Sequence, residues 1–167
     1  MKNISLLNLT IIFSLLIFFS LTNYSYSASS SSDGGSKSNY DKAANLIKAA
    51  KKYESKGKNE KAKKRYERAL KFLIKSNKEK PNQADTLNYL GFTTRKLGNY
   101  EEGEKYYLLG LKIEPDHKGI NEYLGELYVV TDRVELAKQR LEVLKSCNCE
   151  EYEELKNIIN GNKKSKY

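Results

Sequence analysis

The tetrapeptide Asn88-Tyr89-Leu90-Gly91 returns 34 positions later as Glu122-Tyr123-Leu124-Gly125. Gly98 of the first copy then aligns with Asp132 of the second. A fixed period of this size is typical of stacked supersecondary units, because one unit alone cannot bury its apolar face. The period therefore predicts a repeat domain that serves as a binding scaffold.

The first copy, residues 84–117, contains two stretches with helical periodicity. Apolar residues recur at helical spacing over about 84–97 and 100–113, with a break at Gly98. Pro115 ends the second stretch, because proline cannot continue a helix. Two antiparallel helices approach closely only where the facing residues are small, and the small residues here are Gly91, Gly103 and Gly110.

Residues 40–83 are predicted to form a degenerate first unit with its break at Gly57. The second helix of this unit, expected over about 59–78, fits the repeat in two registers. Its apolar residues occupy repeat positions 20, 24 and 27, or positions 17, 20 and 24, and the two sets are Ala62, Tyr66 and Ala69 or Tyr66, Ala69 and Leu73. The registers differ by about two helical turns, so both present the same face.

Residues 118–149 form the last unit, and residues 150–160 are predicted to form a capping helix. This unit departs from the pattern at two places, where Leu144 replaces a small residue and Cys149 replaces proline. Terminal units of solenoids are commonly atypical, so the helix that follows is expected to shield the last apolar face.

The pattern resembles the tetratricopeptide repeat. Residues 84–117 match the residue order of that repeat, which is Leu-Gly, Tyr, a small residue, an aromatic residue, a small residue and Pro. The resemblance implies an all-α solenoid of about three helix pairs plus the C-terminal capping helix. In this family the first helix of each pair lines a groove that binds partners. Carried onto this chain, the groove residues are Asp85, Asn88, Phe92, Arg95, Lys96, Gly119, Glu122, Glu126, Val129 and Val130.

These residues predict one mixed polar wall with an exposed aromatic, Phe92, and one acidic and apolar wall. Such a groove suits an extended peptide or a helix better than a small polar metabolite. The alternative is that Phe92 and Val129 are covered by the Ser-rich segment or by the long basic helix. The lysine and asparagine set with which some relatives clamp a carboxylate is not present as a set.

The two ends of the chain have a different composition from the repeats. Residues 1–27 combine an early positive charge with an apolar run and small residues before position 28, the pattern of a secretory signal peptide. An uncleaved membrane anchor is the alternative. Residues 28–39 are rich in Ser and Gly and predict a flexible linker, and residues 161–167 predict a disordered tail. We therefore expect an exported protein, periplasmic or secreted, with no membrane span after cleavage.

Positive charge is concentrated in the first unit. Residues 40–83 hold 15 Lys and Arg against 5 Asp and Glu, whereas residues 84–149 hold 9 against 11. This excess includes a basic patch, Lys61, Lys64, Arg65 and Arg68, which could attract anionic lipid or cell-wall polymer outside the cytoplasm. Export argues against nucleic acid as a partner, and a solvated lysine-rich face is the simpler interpretation.

No arrangement of residues predicts catalysis, a cofactor site or a metal site. The only histidine, His117, falls in the turn between two units, and neither a partner nor a pocket for a general base is visible. We expect His117 to be a surface turn residue and the protein not to be an enzyme.

Cys147 and Cys149 precede the predicted capping helix. A local disulfide, free or intermolecular thiols, and metal binding are the alternatives, the last short of ligands for zinc. Similar exported bacterial proteins, as the resemblance suggests, carry such a pair before a Glu-Tyr-x-x-Leu-Lys helix, where a disulfide would pin that helix. A redox-responsive role is a further alternative.

Together these features predict a scaffold or adaptor of the cell envelope that docks a protein or peptide in its groove. The rival function is an adaptor that holds anionic lipid or cell-wall polymer through the basic first repeat.

Overall fold

The computed structural model describes residues 37–165. These residues form seven α-helices and no strand: α1 (Asn39–Glu54), α2 (Asn59–Glu79), α3 (Ala84–Lys96), α4 (Tyr100–Ile113), α5 (Lys118–Val130), α6 (Val134–Leu144) and α7 (Glu150–Ile159). None of these helices combines the length and the apolar content that crossing a bilayer requires. The predicted signal peptide, and the predicted linker up to residue 36, lie outside the described residues.

Three turns of the same geometry divide the first six helices into three pairs. Each turn contains one residue with positive φ: Gly57 at 66°, Gly98 at 92° and Asp132 at 57°. In each turn the next backbone N–H donates to the carbonyl five residues earlier, at 2.9, 3.1 and 2.7 Å respectively. This hydrogen bond satisfies a carbonyl at the end of the first helix. The predicted all-α solenoid of helix pairs is therefore confirmed.

The turns also decide the register of the first pair. Gly57 precedes α2 by the same two residues by which Gly98 precedes α4. Ala62, Tyr66 and Ala69 then align with Gly103, Tyr107 and Gly110, and all six are buried. The first of the two registers is the observed one, and the 21 residues of α2 continue seven beyond the 14 of α4.

Glycine sets the helix crossing within the second pair. A Cβ added at Gly91 would lie 2.5 Å from a ring carbon of Tyr107, and one at Gly103 would lie 3.0 Å from the carbonyl oxygen of Gly91. Real Cβ contacts are longer than the first of these distances, so α3 and α4 cross where the sequence predicted small residues.

The last pair is closed by α7. A Cβ at Gly125 would lie 2.5 Å from a methyl of Leu155, which is fully buried. In the second pair the equivalent glycine faces Tyr107 of its own pair, whereas here it faces the helix that follows. Leu155 of the capping helix therefore occupies the space that, in the second pair, the second helix of the same pair fills with Tyr107.

Both ends of the described chain are fixed by side-chain hydrogen bonds. Ser38 and Asp41 form a reciprocal capping box, so α1 begins at Asn39, the last residue of the predicted linker. Part of the predicted disordered tail is described, and in it the Ser165 hydroxyl donates to Glu126 Oε2 at 3.1 Å.

Candidate functional site

The first helices of the three pairs, α1, α3 and α5, lie side by side and form one wall of the domain. Lys51 of α1 places its ammonium 4.5 Å from the ring centre of Phe92 on α3 and 3.2 Å from the hydroxyl of Tyr123 on α5. The Phe92 and Tyr123 ring centres are 5.1 Å apart. Phe92, one of the predicted groove residues, thus lies where all three helices of this wall meet.

Phe92 itself is buried, with 2% of its surface exposed. Its ring also packs edge-on against Tyr66 of α2 at 5.9 Å. The prediction of an exposed aromatic is wrong at this position, because the ring lies where side chains of the first and third pairs converge on α3. A role for Phe92 in partner binding stays a prediction.

Arg95 and Glu126 join α3 to α5 through a buried ion pair. Arg95 Nη2 lies 3.5 Å from Glu126 Oε2, both side chains are fully buried, and Arg95 Nη1 donates to the Tyr123 carbonyl at 2.5 Å. Removing one partner of a buried pair leaves the other charge in a poor solvent. These two predicted groove residues therefore also hold the wall together.

Two other predicted groove residues take part in packing. Lys96 Nζ lies 2.6 Å from Glu54 Oε1, and the hydroxyl of Tyr66 donates to the same carboxylate at 2.9 Å. Val129 packs, partly buried, against an apolar cluster that the second and third pairs share. Both side chains therefore contribute contacts within the domain.

An open cavity of about 440 Å³ lies between the second and third pairs, and we call it the inter-repeat pocket. Four carboxylates and one lysine line it, together with neutral groups. Its lining is Asn88, Tyr89, Glu114, Asp116, His117, Lys118, Gly119, Glu122, Tyr123 and Glu151. This pocket brings together the predicted groove residues Asn88, Gly119 and Glu122 and gives them an acidic surrounding.

The two tyrosines of the pocket are neutral at pH 7. Burial raises the pKa of Tyr89, with a smaller effect from Asp85, and burial and then Glu122 raise the pKa of Tyr123. Because the charged form of a phenol is disfavoured away from water and beside carboxylates, both hydroxyls remain available as donors and acceptors.

His117, which we expected to be a surface turn residue, has a structural role. Only 11% of its side chain is exposed, Nδ1 accepts from the Ile120 N–H at 3.2 Å, and Nε2 lies 3.1 Å from Asp85 Oδ1. Since Nδ1 accepts, the proton is on Nε2, which donates to Asp85. His117 therefore caps α5 and ties it to α3. Histidine is not among the residues that usually cap helices, so no local sequence signal indicated this role.

Asn88 is the most informative side chain of the pocket. It is 8% exposed, and its Oδ1 accepts no hydrogen bond from any residue within 37–165. A Cβ at Gly119 would lie 2.8 Å from Asn88 Nδ2, so glycine permits α5 to approach this amide. A buried carbonyl oxygen without a donor costs free energy that a bound donor would recover.

The predicted basic patch is also brought together in space. Lys61, Lys64, Arg65 and Arg68 line one open cavity of about 420 Å³ beside Tyr53 of α1. This cavity belongs to the first pair, away from the residues of the inter-repeat pocket.

Cys147 and Cys149 are joined by a disulfide in the turn between α6 and α7, with their Cα atoms 5.2 Å apart. Within residues 37–165 no three His, Cys, Asp or Glu side chains are grouped so that they could hold a metal ion.

No family model and no curated protein matches the sequence. Among solved structures, the first TPR of Spaghetti (RPAP3) bound to HSP90 peptide SRMEEVD aligns with 21% identity and a TM-score of 0.52, over 77% of this chain and 98% of that one. The second TPR of Spaghetti (RPAP3), bound to the same peptide, aligns with 19% identity and a TM-score of 0.47, over 64% and 93%. The first likeness shows that the chain has a fold of the tetratricopeptide type.

Proposed function

We propose that the protein is a non-enzymatic scaffold that docks an extended peptide segment of a protein partner along α3 and α5. The observation that carries this proposal is Asn88, a buried side chain whose carbonyl oxygen lacks a donor within residues 37–165 and which lines the inter-repeat pocket. A peptide backbone N–H, or the head of a lysine or arginine side chain, would supply that donor.

The charge of the pocket favours a basic segment. Glu114, Asp116, Glu122 and Glu151 line it against Lys118 as the one lysine or arginine. The peptide in the first similar structure, SRMEEVD, has three acidic residues and one arginine. The negative charge of the inter-repeat pocket would repel such an acidic peptide. The pocket therefore indicates a basic partner, unlike the ligand of that structure.

We further propose that the scaffold works in the cell envelope, in the periplasm or after secretion. Support comes from the sequence of residues 1–27, which has the charge, apolar run and small residues of a signal peptide.

The binding proposal is tested with the full chain and a library of extended peptides that differ in net charge. We expect selection of peptides with at least two lysines or arginines. The double substitution Glu122→Gln, Glu151→Gln should weaken binding of the selected peptide about tenfold. The two carboxylates that would attract the cations of the peptide at a partly desolvated site are then neutral.

The matched control neutralises two carboxylates outside the pocket, Glu135→Gln and Glu142→Gln, whose side chains are 81% and 71% exposed. This variant should bind the selected peptide like the wild type. Selection of acidic peptides, or equal weakening in both variants, would contradict the proposal. Asn88→Ala adds a test that is independent of charge, with affinity lost and the thermal midpoint of unfolding not lowered.

A further inference from the structure

Two cavities adjoin on either side of Tyr53 in the first helix pair. One, of about 420 Å³, lies toward α2, and the other, of about 280 Å³, lies toward the turn after α1. Seven cations line the two cavities, and we call this surface the basic basin. Besides Tyr53 and Ala49, its residues are Lys52, Lys56, Lys58, Lys61, Lys64, Arg65 and Arg68.

No carboxylate lines the basic basin, although Glu60 and Glu67 lie on the same helix, α2. None of the seven cations forms an ion pair within residues 37–165. Glu54 lies next to Tyr53 in the chain, but its carboxylate binds Lys96 and the hydroxyl of Tyr66. Elsewhere Lys105, Lys138 and Lys145 each pair with a glutamate three or four residues away.

The spacing of these cations works against helix stability. Lys61 and Arg65, like Lys64 and Arg68, are four residues apart on α2, and like charges at this spacing repel each other. A bound anion would remove this repulsion. Arginine also offers two parallel N–H donors, a geometry that fits two oxygens of one phosphate group.

The residues that line the basin indicate which class of polyanion it binds. The exposed large apolar side chains of the described residues, such as Ile74 and Leu108, do not line it. Cations alone are attracted to an anionic bilayer surface, but stable docking there takes a second contribution from buried apolar groups, which the basin does not supply. Tyr53 is the one aromatic residue in the lining, whereas single-stranded nucleic acid is held on several stacked rings.

We infer that the basic basin binds a flexible linear polymer of phosphate groups that carries neither bases nor acyl chains. Neighbouring stretches of the polymer would occupy the two cavities that share Tyr53, with Arg65 and Arg68 binding phosphates in the larger one. This surface shares no residue with the inter-repeat pocket, so the inference does not depend on the peptide-binding proposal.

The test uses the full chain and fluorescently labelled inorganic polyphosphate, followed by anisotropy at several salt concentrations. We expect binding that weakens steeply with salt, because neutralising phosphates releases counterions. Neutralising the four basin residues of α2, Lys61→Gln, Lys64→Gln, Arg65→Gln and Arg68→Gln, should weaken binding at least tenfold.

The matched control makes the same change in net charge on the same helix outside the basin. Its substitutions are Lys63→Gln, Lys71→Gln, Lys75→Gln and Lys78→Gln, all at exposed positions, and they should weaken binding less than threefold. Equal loss in both variants would overturn the inference in favour of a diffuse charge effect. Tighter binding to anionic lipid vesicles or to oligo-dT than to polyphosphate of equal charge would overturn the assigned partner.

A second measurement needs no substitution. Chemical acetylation of the wild-type chain with and without polyphosphate should show protection of Lys56, Lys61 and Lys64 and none of Lys71 or Lys78. Uniform protection of all lysines, or none, would contradict a defined basin.

Discussion

The first helix pair, α1 and α2, and the second pair, α3 and α4, build the same turn and place small residues at equivalent positions, but the residues differ. Three alanines of the first pair stand where the second has glycines: Ala50, Ala62 and Ala69 against Gly91, Gly103 and Gly110. All six are buried. The first pair accommodates methyl groups, whereas the ring of Tyr107 excludes one at Gly91. The closeness of α3 and α4 is therefore set at Gly91 and Gly103 by residues of that pair, whereas Gly110 faces Ile120 of α5.

The exposed surfaces of the two pairs differ even more. The first pair carries the basic basin, and the second pair joins the third to form an acidic pocket. Buried positions repeat because every pair must cross and turn alike, but positions that face water are free to differ. The same repeat architecture can in this way carry a basic surface on one pair and an acidic surface on the next.

The largest effect is expected at the crossings. Gly91→Ala should lower the free energy of unfolding by about 2 kcal/mol, since the clash with Tyr107 exceeds the gain in helix propensity. The reverse change at the equivalent position, Ala50→Gly, should cost only about 1 kcal/mol, mostly propensity. Urea denaturation measures both. If the Gly91→Ala protein were as stable as the wild type, α3 and α4 could move apart enough to accommodate a methyl group, as α1 and α2 do at Ala50.

Tyr66 and Tyr107 occupy the same repeat position but differ in hydrogen bonding. The hydroxyl of Tyr66 donates to Glu54 at 2.9 Å, whereas that of Tyr107 is buried and has no partner within residues 37–165. Tyr66→Phe should therefore cost about 1.5 kcal/mol, and Tyr107→Phe should be neutral or slightly stabilising. Thermal unfolding of the two single variants at pH 7 decides this, and equal losses would refute the assigned difference.

Alkaline pH should destabilise both pairs through these tyrosines. Burial raises the pKa of each phenol, and in Tyr66 the hydrogen bond to Glu54 raises it further. A raised pKa in the folded state means that stability is full below the unfolded pKa of about 10 and is lost as pH rises above it. Each buried phenol should cost about 1.4 kcal/mol per pH unit there.

Urea midpoints between pH 9 and 11.5, with phenolate absorbance recorded in parallel, test this expectation. In the Tyr66→Phe, Tyr107→Phe variant the decline should be shallower. A decline of the same slope would assign the effect to other groups.

The smallest effect is expected at the turns. A Cβ added at Gly57 or Gly98 would meet nothing within 4 Å, so alanine there tests the positive φ alone. Gly57→Ala and Gly98→Ala should each cost about 1 kcal/mol, because a left-handed conformation is strained for residues with a Cβ. Asp132→Gly should relieve that strain and stabilise the third turn. Unequal losses at Gly57 and Gly98 would show that the two turns are not equivalent.

Part of the candidate site could be predicted from the sequence. The repeat placed Asn88 and Glu122 at equivalent groove positions, and both line the inter-repeat pocket. Helical spacing likewise grouped Lys61, Lys64, Arg65 and Arg68, which line one cavity. These predictions rest on periodicity within single helices, which a linear pattern records directly.

Other features depend on contacts between distant residues. Phe92 has apolar neighbours from α2 and α5, and His117 bonds to Asp85 on another helix. Lys52, Lys56 and Lys58 join the basin only because α1 and α2 fold back at Gly57. No local pattern marks such neighbours.

By itself the sequence determined the helix pairs, their turns and the closing helix, since spacing of apolar residues and placement of glycine act over a few positions along the chain. Only the tertiary structure decided which side chains are covered and which charges meet, as with Leu155 against Gly125 and the carboxylates of the inter-repeat pocket. The physical reason is that burial and electrostatic environment depend on residues brought together from separate helices.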